Sequence, residues 1–254
     1  MSWLFFATSL LAFLFLDAIV SVIVVHGDEV RDELTSVSNV VRALIVSSAV
    51  STVVACAVIQ RLGWWDVVLR ERRRARRWVW VVPVVLVATA LLTTDYSRLQ
   101  EAGSGVTAAL LLATLLIGTA EELMFRGVVL QALRDRYREG VAAVATALLF
   151  GAFHLVAGPL AGISSAVGGY LYYATRQVSG GLAAPIAAHA LWDFSVLSNS
   201  TTSEPAESAS GPIVLFLVSI ALLVLLVVRR KAVGQPATEE RHVPEAVQRD
   251  TATQ

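Results

Sequence analysis

Eight apolar runs, at residues 2–25, 39–60, 78–94, 106–126, 141–157, 162–178, 182–198 and 212–228, constrain this chain more than any other feature. A helix needs roughly 20 predominantly apolar residues to cross the hydrocarbon core of a bilayer. In lipid its backbone polar groups must be satisfied within the protein, so runs of this length point to a bundle of membrane helices. The composition agrees, with 56% hydrophobic and 16% charged residues over 254 positions. The expected fold is an all-α integral membrane protein of about eight transmembrane helices. Residues 1–231 form its polytopic membrane domain, and 232–254, polar and aperiodic, read as a disordered cytoplasmic tail. The loop 198–210, "SNSTTSEPAESAS", reads as disordered for the same reason. The first run has no basic start or small-residue cleavage site and is interrupted by Asp17, so it is expected to be a retained helix and not a removed signal.

The net charge is zero, and its distribution is what informs. Residues 61–77, "RLGWWDVVLRERRRARR", hold seven Arg against two acids, whereas 26–37, "HGDEVRDELTSV", hold four acids and one Arg. The positive-inside rule puts the first segment in the cytoplasm and the second outside. Arg134, Arg136 and Arg138, and then Arg229, Arg230 and Lys231, fall on the same side if both termini are cytoplasmic. Trp64 and Trp65 suit a segment at the headgroup level, and the basic loop reads as a topology anchor and not as a nucleic-acid site. Cys56 lies within an apolar run, has no partner for an intrachain disulfide, and carries no functional signal.

Ionisable residues inside membrane runs are costly, so each invites a functional reading. They are Asp17, Arg42, Glu121, Glu122, Arg126, His154, Arg176, His189 and Asp193. Arg42 and Arg176 lie near helix ends and are expected to snorkel to water. Asp17 has no obvious partner. The other six converge by geometry: Glu121 and His154 lie about equally far on either side of a hairpin turn near Tyr137, at ~25 Å from its tip by the helical rise. His189 and Asp193, at i and i+4, share one face of a later helix at compatible depth. Glu122 and Arg126 are also at i and i+4 and are expected to pair, leaving Glu121, about 100° around the helix, free to act as a general base.

At these residues the chain resembles the membrane-embedded CAAX prenyl endopeptidases and bacteriocin-processing enzymes, the CPBP or Abi family. Its motifs E-E-x-x-x-R, F-x-x-x-H and H-x-x-x-N/D read here "EELMFR" (Glu121, Glu122, Arg126), "FGAFH" (Phe150, His154) and "HALWD" (His189, Asp193), in order and each in an apolar run. The likeness covers about residues 105–195. It implies an intramembrane endopeptidase in which Glu121, helped by His154, activates a water while His189 and residue 193 face the oxyanion. Glu122, Arg126 and Phe150 are then supporting residues.

An ionised aspartate at 193 cannot donate to an oxyanion as an asparagine can, so three roles stay open: a protonated carboxyl, a partner that orients His189, or a metal ligand. No cofactor is expected. A divalent metal such as zinc, held by Glu121, His154, His189 and Asp193, is the alternative, although no H-E-x-x-H pair is present. The expected partners are a membrane-associated peptide or protein substrate and the lipid bilayer, with no nucleic acid. The expected location is a cell membrane, in a bacterium by its Arg/Ala/Val usage. A non-proteolytic scaffold or immunity factor and a proton-coupled transporter are the competing classes; the transporter predicts internal repeats and broken helices, and neither is evident. No G-x-G-D or G-x-S-x-G marks an aspartyl or serine protease. Glycines in "GAFH", "GPLAG" and "GGYLYY" suit either a substrate cavity or ordinary helix packing.

Overall fold

A computed structural model of the protein describes residues 7–13, 15, 34–201, 210–229, 231, 233 and 235–236. Asp17, the acidic stretch 26–33, loop residues 202–209, Arg230 and the tail from 237 lie outside the described residues. So does most of the first apolar run, of which residues 7–13 are helical. The remaining elements are α1 (Val37–Leu62), α2 (Trp65–Leu69), α3 (Arg77–Thr93), α4 (Tyr96–Arg134), α5 (Glu139–Ala157), α6 (Pro159–Ser179), α7 (Ala183–Ser198) and α8 (Ser210–Val228). Two short strands, β1 (Arg73–Arg74) and β2 (Gln235–Pro236), pair antiparallel.

The protein is an all-α, multi-pass membrane protein. Among the described residues four helices, α1, α4, α5 and α8, are long and apolar enough to cross a membrane. α3 is apolar but shorter. α6 carries the buried residues Thr175, Arg176 and Gln177, and α7 has only 16 residues. The reason is positional: nearly every residue of α6 from Val167 to Gln177 is buried by neighbouring helices, so its surface need not resemble lipid. Hydropathy measures the lipid-facing helices well and the enclosed ones poorly.

Local chemistry sets the helix limits. Ser36 caps α1, accepting the Asn39 N–H at 3.2 Å, and Asp95 caps α4, accepting the Arg98 N–H at 3.1 Å. α4 is interrupted at Gly103, whose φ of 86° only glycine adopts without strain. Further along, its residues Glu122–Val129 are wound as a π-helix, a rare widening that is frequent at functional sites. α4 and α5 form the hairpin expected from the sequence, with its turn at residues 135–138.

With lipid on one side and protein on the other there is little hydrophobic gain in bringing helices together, so close approach depends on small residues. α5 packs on α6, where a Cβ added at Gly151 would meet the Cβ of Ala166 at 2.6 Å. α4 packs on α7, where a Cβ at Gly118 would meet the carbonyl of Ile186 at 3.1 Å. The core between them holds Met124, Phe125, Leu130, Phe150 and Leu171, all at most 2% exposed.

Two readings of the basic segment change. Residues 61–77 are more than a charged anchor: α2 and β1 fold back onto the ends of α4, α5 and α6. Val68 is fully buried against Gly127, and the Glu71 N–H donates to the Gly180 carbonyl at 2.9 Å. Trp64 and Trp65 are half-buried against the core. Arg176 does not snorkel. It is 1% exposed, ion-paired to Glu71 at 3.0 Å, and donates to the Val67 carbonyl at 2.9 Å and to the Arg126 carbonyl. Arg42, by contrast, is exposed as expected.

Candidate functional site

The three motifs meet. Glu121, Glu122 and Arg126 come from the end of the regular part of α4 and its π segment, Phe150 and His154 from α5, and His189 and Asp193 from α7. At the base of the site Glu122 and Arg126, both fully buried, form the expected ion pair at 2.8 Å. The guanidinium meets the carboxylate off the line of its N–H groups. Much of its compensation comes from two ring faces, since its carbon lies 4.2 Å from the Phe150 centroid and 5.2 Å from that of Tyr172. Gly169 leaves room for it: a Cβ there would stand 3.2 Å from an Arg126 Nη.

His189 is fixed from three sides. Its Nδ1 lies 3.1 Å from Glu122 Oε1, and Tyr172 stacks on its ring with 4.7 Å between centroids and 19° between planes. Its Nε2 lies 3.5 Å from Asp193 Oδ2 and 3.6 Å from Glu121 Oε2. Both ring nitrogens therefore face carboxylates, an arrangement suited to a ring donating on both sides.

Glu121 is not left free as the helical wheel suggested; it stands between the two histidines. The same Oε2 lies 3.8 Å from His154 Nε2. His154 Nδ1 is 2.9 Å from the Phe150 carbonyl, which can only accept, so Nδ1 carries the proton, and in the neutral ring Nε2 turns a lone pair toward Glu121. Two acceptors face one another at a distance too long for a direct hydrogen bond. A water donating to both is the natural third member of that arrangement.

Exposure divides the site. The Glu122, Arg126 and His189 side chains are at most 4% exposed, whereas those of Glu121, His154 and Asp193 are 12%, 26% and 23% exposed. The first three make a sealed base and the second three an accessible rim. Among the described residues no group of three or more His, Cys, Asp or Glu side chains is disposed to hold a metal ion. The arrangement gives no support to the four-residue metal site that the sequence left open.

Sequence reasoning missed two things. Tyr172, which clamps both Arg126 and His189, carries no charge and sat unremarked in "GGYLYY". The other is a second buried polar network at the basic-loop end. There Glu71 Oε2 meets Arg134 and Arg176, each at 3.0 Å, and Glu139 meets Arg73 at 2.9 Å and Arg134 at 2.6 Å. The Tyr173 hydroxyl and the Gln177 amide also donate to Glu139, each at 2.9 Å. Arg176 links the two networks through the Arg126 carbonyl, within the π segment. The signal available was weak: Glu71 and Glu139 lie in or beside loops, where a carboxylate is expected to be solvated.

Comparison with known proteins places this geometry. Residues 103–195, from the Gly103 interruption to two residues past Asp193, match the family model described as Rce1-like, type II CAAX prenyl endopeptidase Rce1-like. The resemblance read from the three motifs is thereby borne out over a little more than a third of the chain. No curated protein and no solved structure gives a significant match.

Proposed function

We propose that the protein is an intramembrane endopeptidase that cleaves a membrane-associated peptide or protein with a water activated by Glu121 and His154. The observation that carries this reading is the facing of Glu121 Oε2, itself buried, and His154 Nε2 across 3.8 Å. A water between them gives a proton to Glu121 as its oxygen bonds to the substrate's carbonyl carbon. The carbonyl π electrons move onto oxygen, and His189 Nε2, protonated, donates to the oxyanion. Collapse of the tetrahedral intermediate breaks the C–N bond, and Glu121 returns its proton to the leaving amine. In this reading Asp193 acts through His189, lying beside Nε2 and balancing the imidazolium's charge, the orienting role among the three left open. Glu122, Arg126, Phe150 and Tyr172 keep the imidazole fixed from beneath.

The topology goes with this reading: eight spans in a bacterial cell membrane, both termini cytoplasmic. Pairing of Arg73–Arg74 with Gln235–Pro236, and the approach of Arg73 to Arg134, support it by gathering the basic clusters at one end.

The test compares new protein N-termini in membranes of cells carrying wild-type protein or Glu121→Gln at matched abundance. Termini lost with the substitution, and equally with His154→Ala, are the expected result. Identical profiles alongside a persisting cellular phenotype would turn the assignment to a scaffold.

A further inference from the structure

Next to Glu121, a cavity of about 150 Å³ separates α4 and α5 from α1, which lies outside the segment that matches the family model. Its polar lining comes from Ser47, Ser48 and Ser51 of α1 together with Glu121, and Phe13 and Phe153 are among its apolar lining residues. The serines fall at i, i+1 and i+4, a single face of α1. A contact one turn on fixes this face against α4, the Thr52 hydroxyl lying 3.4 Å from the Leu116 carbonyl.

The three serines are each at most 5% exposed and differ in what they do. Ser47 donates to the Leu44 carbonyl at 3.2 Å. Ser48 is buried and lines the cavity. A serine hydroxyl lining a cavity beside the base is suited to a polar group brought by a ligand.

We propose that this cavity is the subsite for the substrate residue flanking the scissile bond, with Ser48 hydrogen-bonded to the substrate backbone. This rests on the endopeptidase reading and adds to it the substrate's form. A peptide must be unwound for a water to reach its carbonyl, and within a membrane its freed N–H and C=O groups need partners. Ser48 supplies one, beside the base. Size defines the rest of the occupant: an apolar cavity of ~150 Å³ accommodates one benzene molecule, so this one accepts a single side chain of medium size. The hydrogen-bonding group of this subsite thus comes from α1, while Ile117, Ala120 and Phe153 of the motif helices complete its lining.

The test uses the full-length protein in lipid nanodiscs. Short apolar peptides bearing one benzophenone side chain are photocrosslinked to the Glu121→Gln protein, in which bound peptide is not consumed, with and without Ser48→Leu. The expected result is labelling on the Ser47–Ser51 face of α1, reduced about tenfold or more by the leucine, a discrimination in the range that pocket-filling produces. In the protein with Glu121 intact, Ser48→Leu shifts the residue beside the cleaved bond toward Gly and Ala, while Ser48→Thr, which keeps the hydroxyl, retains turnover. Thermal unfolding unchanged in both variants separates this from misfolding. Labelling confined to other helices, or cleavage preferences unmoved by Ser48→Leu, overturns the proposal. If wild type and Glu121→Gln both leave every peptide intact, the endopeptidase reading fails, and crosslinking still decides whether α1 binds peptide.

Discussion

Two buried ionic networks lie within the same helices, joined by Arg176, and they are built on opposite principles. Around Glu139 and Glu71 the acceptors are satisfied: Glu139 receives Arg73, Arg134, Tyr173 and Gln177 within 2.6 to 2.9 Å, and Glu71 receives Arg134, Arg176 and the Arg73 N–H. Around Glu121 the closest approaches to His154, and of His189 to Asp193, stretch to 3.8 and 3.5 Å. Burial and charge count do not separate the two. What separates them is completeness: in the locking network each carboxylate receives several donors or cations at close range, while the other turns two acceptors toward one place. The 3.8 Å between Glu121 and His154 leaves room for a water with protons to give.

That contrast can be broken experimentally. The largest effect is expected at Glu121→Gln, which should cut turnover about a hundred- to ten-thousand-fold, the range of a positioned general base, without lowering the unfolding temperature. A large loss of stability in this isosteric variant would place Glu121 with the locking residues. Arg176→Gln should do the reverse in its main effect. Removing one partner of a buried ion pair costs about 3–5 kcal/mol, to be read from unfolding in detergent micelles. Turnover per folded molecule should fall as well, because the Arg126 carbonyl in the π segment loses its donor.

Smaller effects sharpen the distinction. Tyr173→Phe deletes one of several donors to Glu139 and should cost about 1 kcal/mol of stability with kcat unchanged; a fall in kcat would join Tyr173 to the site. The smallest is expected at Asp95, outside both networks at the start of α4. Its carboxyl is held below its ordinary pKa by the Ser97 hydroxyl foremost, against a modest desolvation, with the Arg98 N–H and guanidinium adding to it. A lowered folded pKa means a stabilisation present in full above the ordinary value of 3.8 and lost as the pH falls below it through the folded value. Asp95→Asn keeps an N-cap but not the charge, so it should lower stability by about 0.3–1 kcal/mol at neutral pH, the scale of a charge at a helix N-terminus. The gap between wild type and variant should close in acid, as a pH series of melting curves will check.

How legible each part was follows from the range of the forces involved. Glu121 and His154 could be brought together on paper because they lie on one hairpin, where the helical rise fixes depth. The Glu122–Arg126 pair and the His189–Asp193 face follow from i, i+4 spacing alone. Arg176 was misread because its distance from a helix end says nothing of what folds over that end, and here α2 and β1 do. Glu121's place between two histidines needed the rotation of α7 relative to α4. A π segment at Glu122–Val129, which a regular helical wheel does not contain, alters the faces of α4 further along.

By itself, then, the sequence determined a bundle of apolar helices and a set of six ionisable residues at matching depths, because hydropathy and the helical period act within a segment. Tertiary structure alone decided which carboxylate meets which imidazole, that Tyr172 and Arg176 support the site, and that α1 turns serines toward Glu121. Those outcomes depend on how rigid helices rotate and close upon one another. Small residues such as Gly118 and Gly169 permit the approach, but the contacts it creates join positions far apart in the chain.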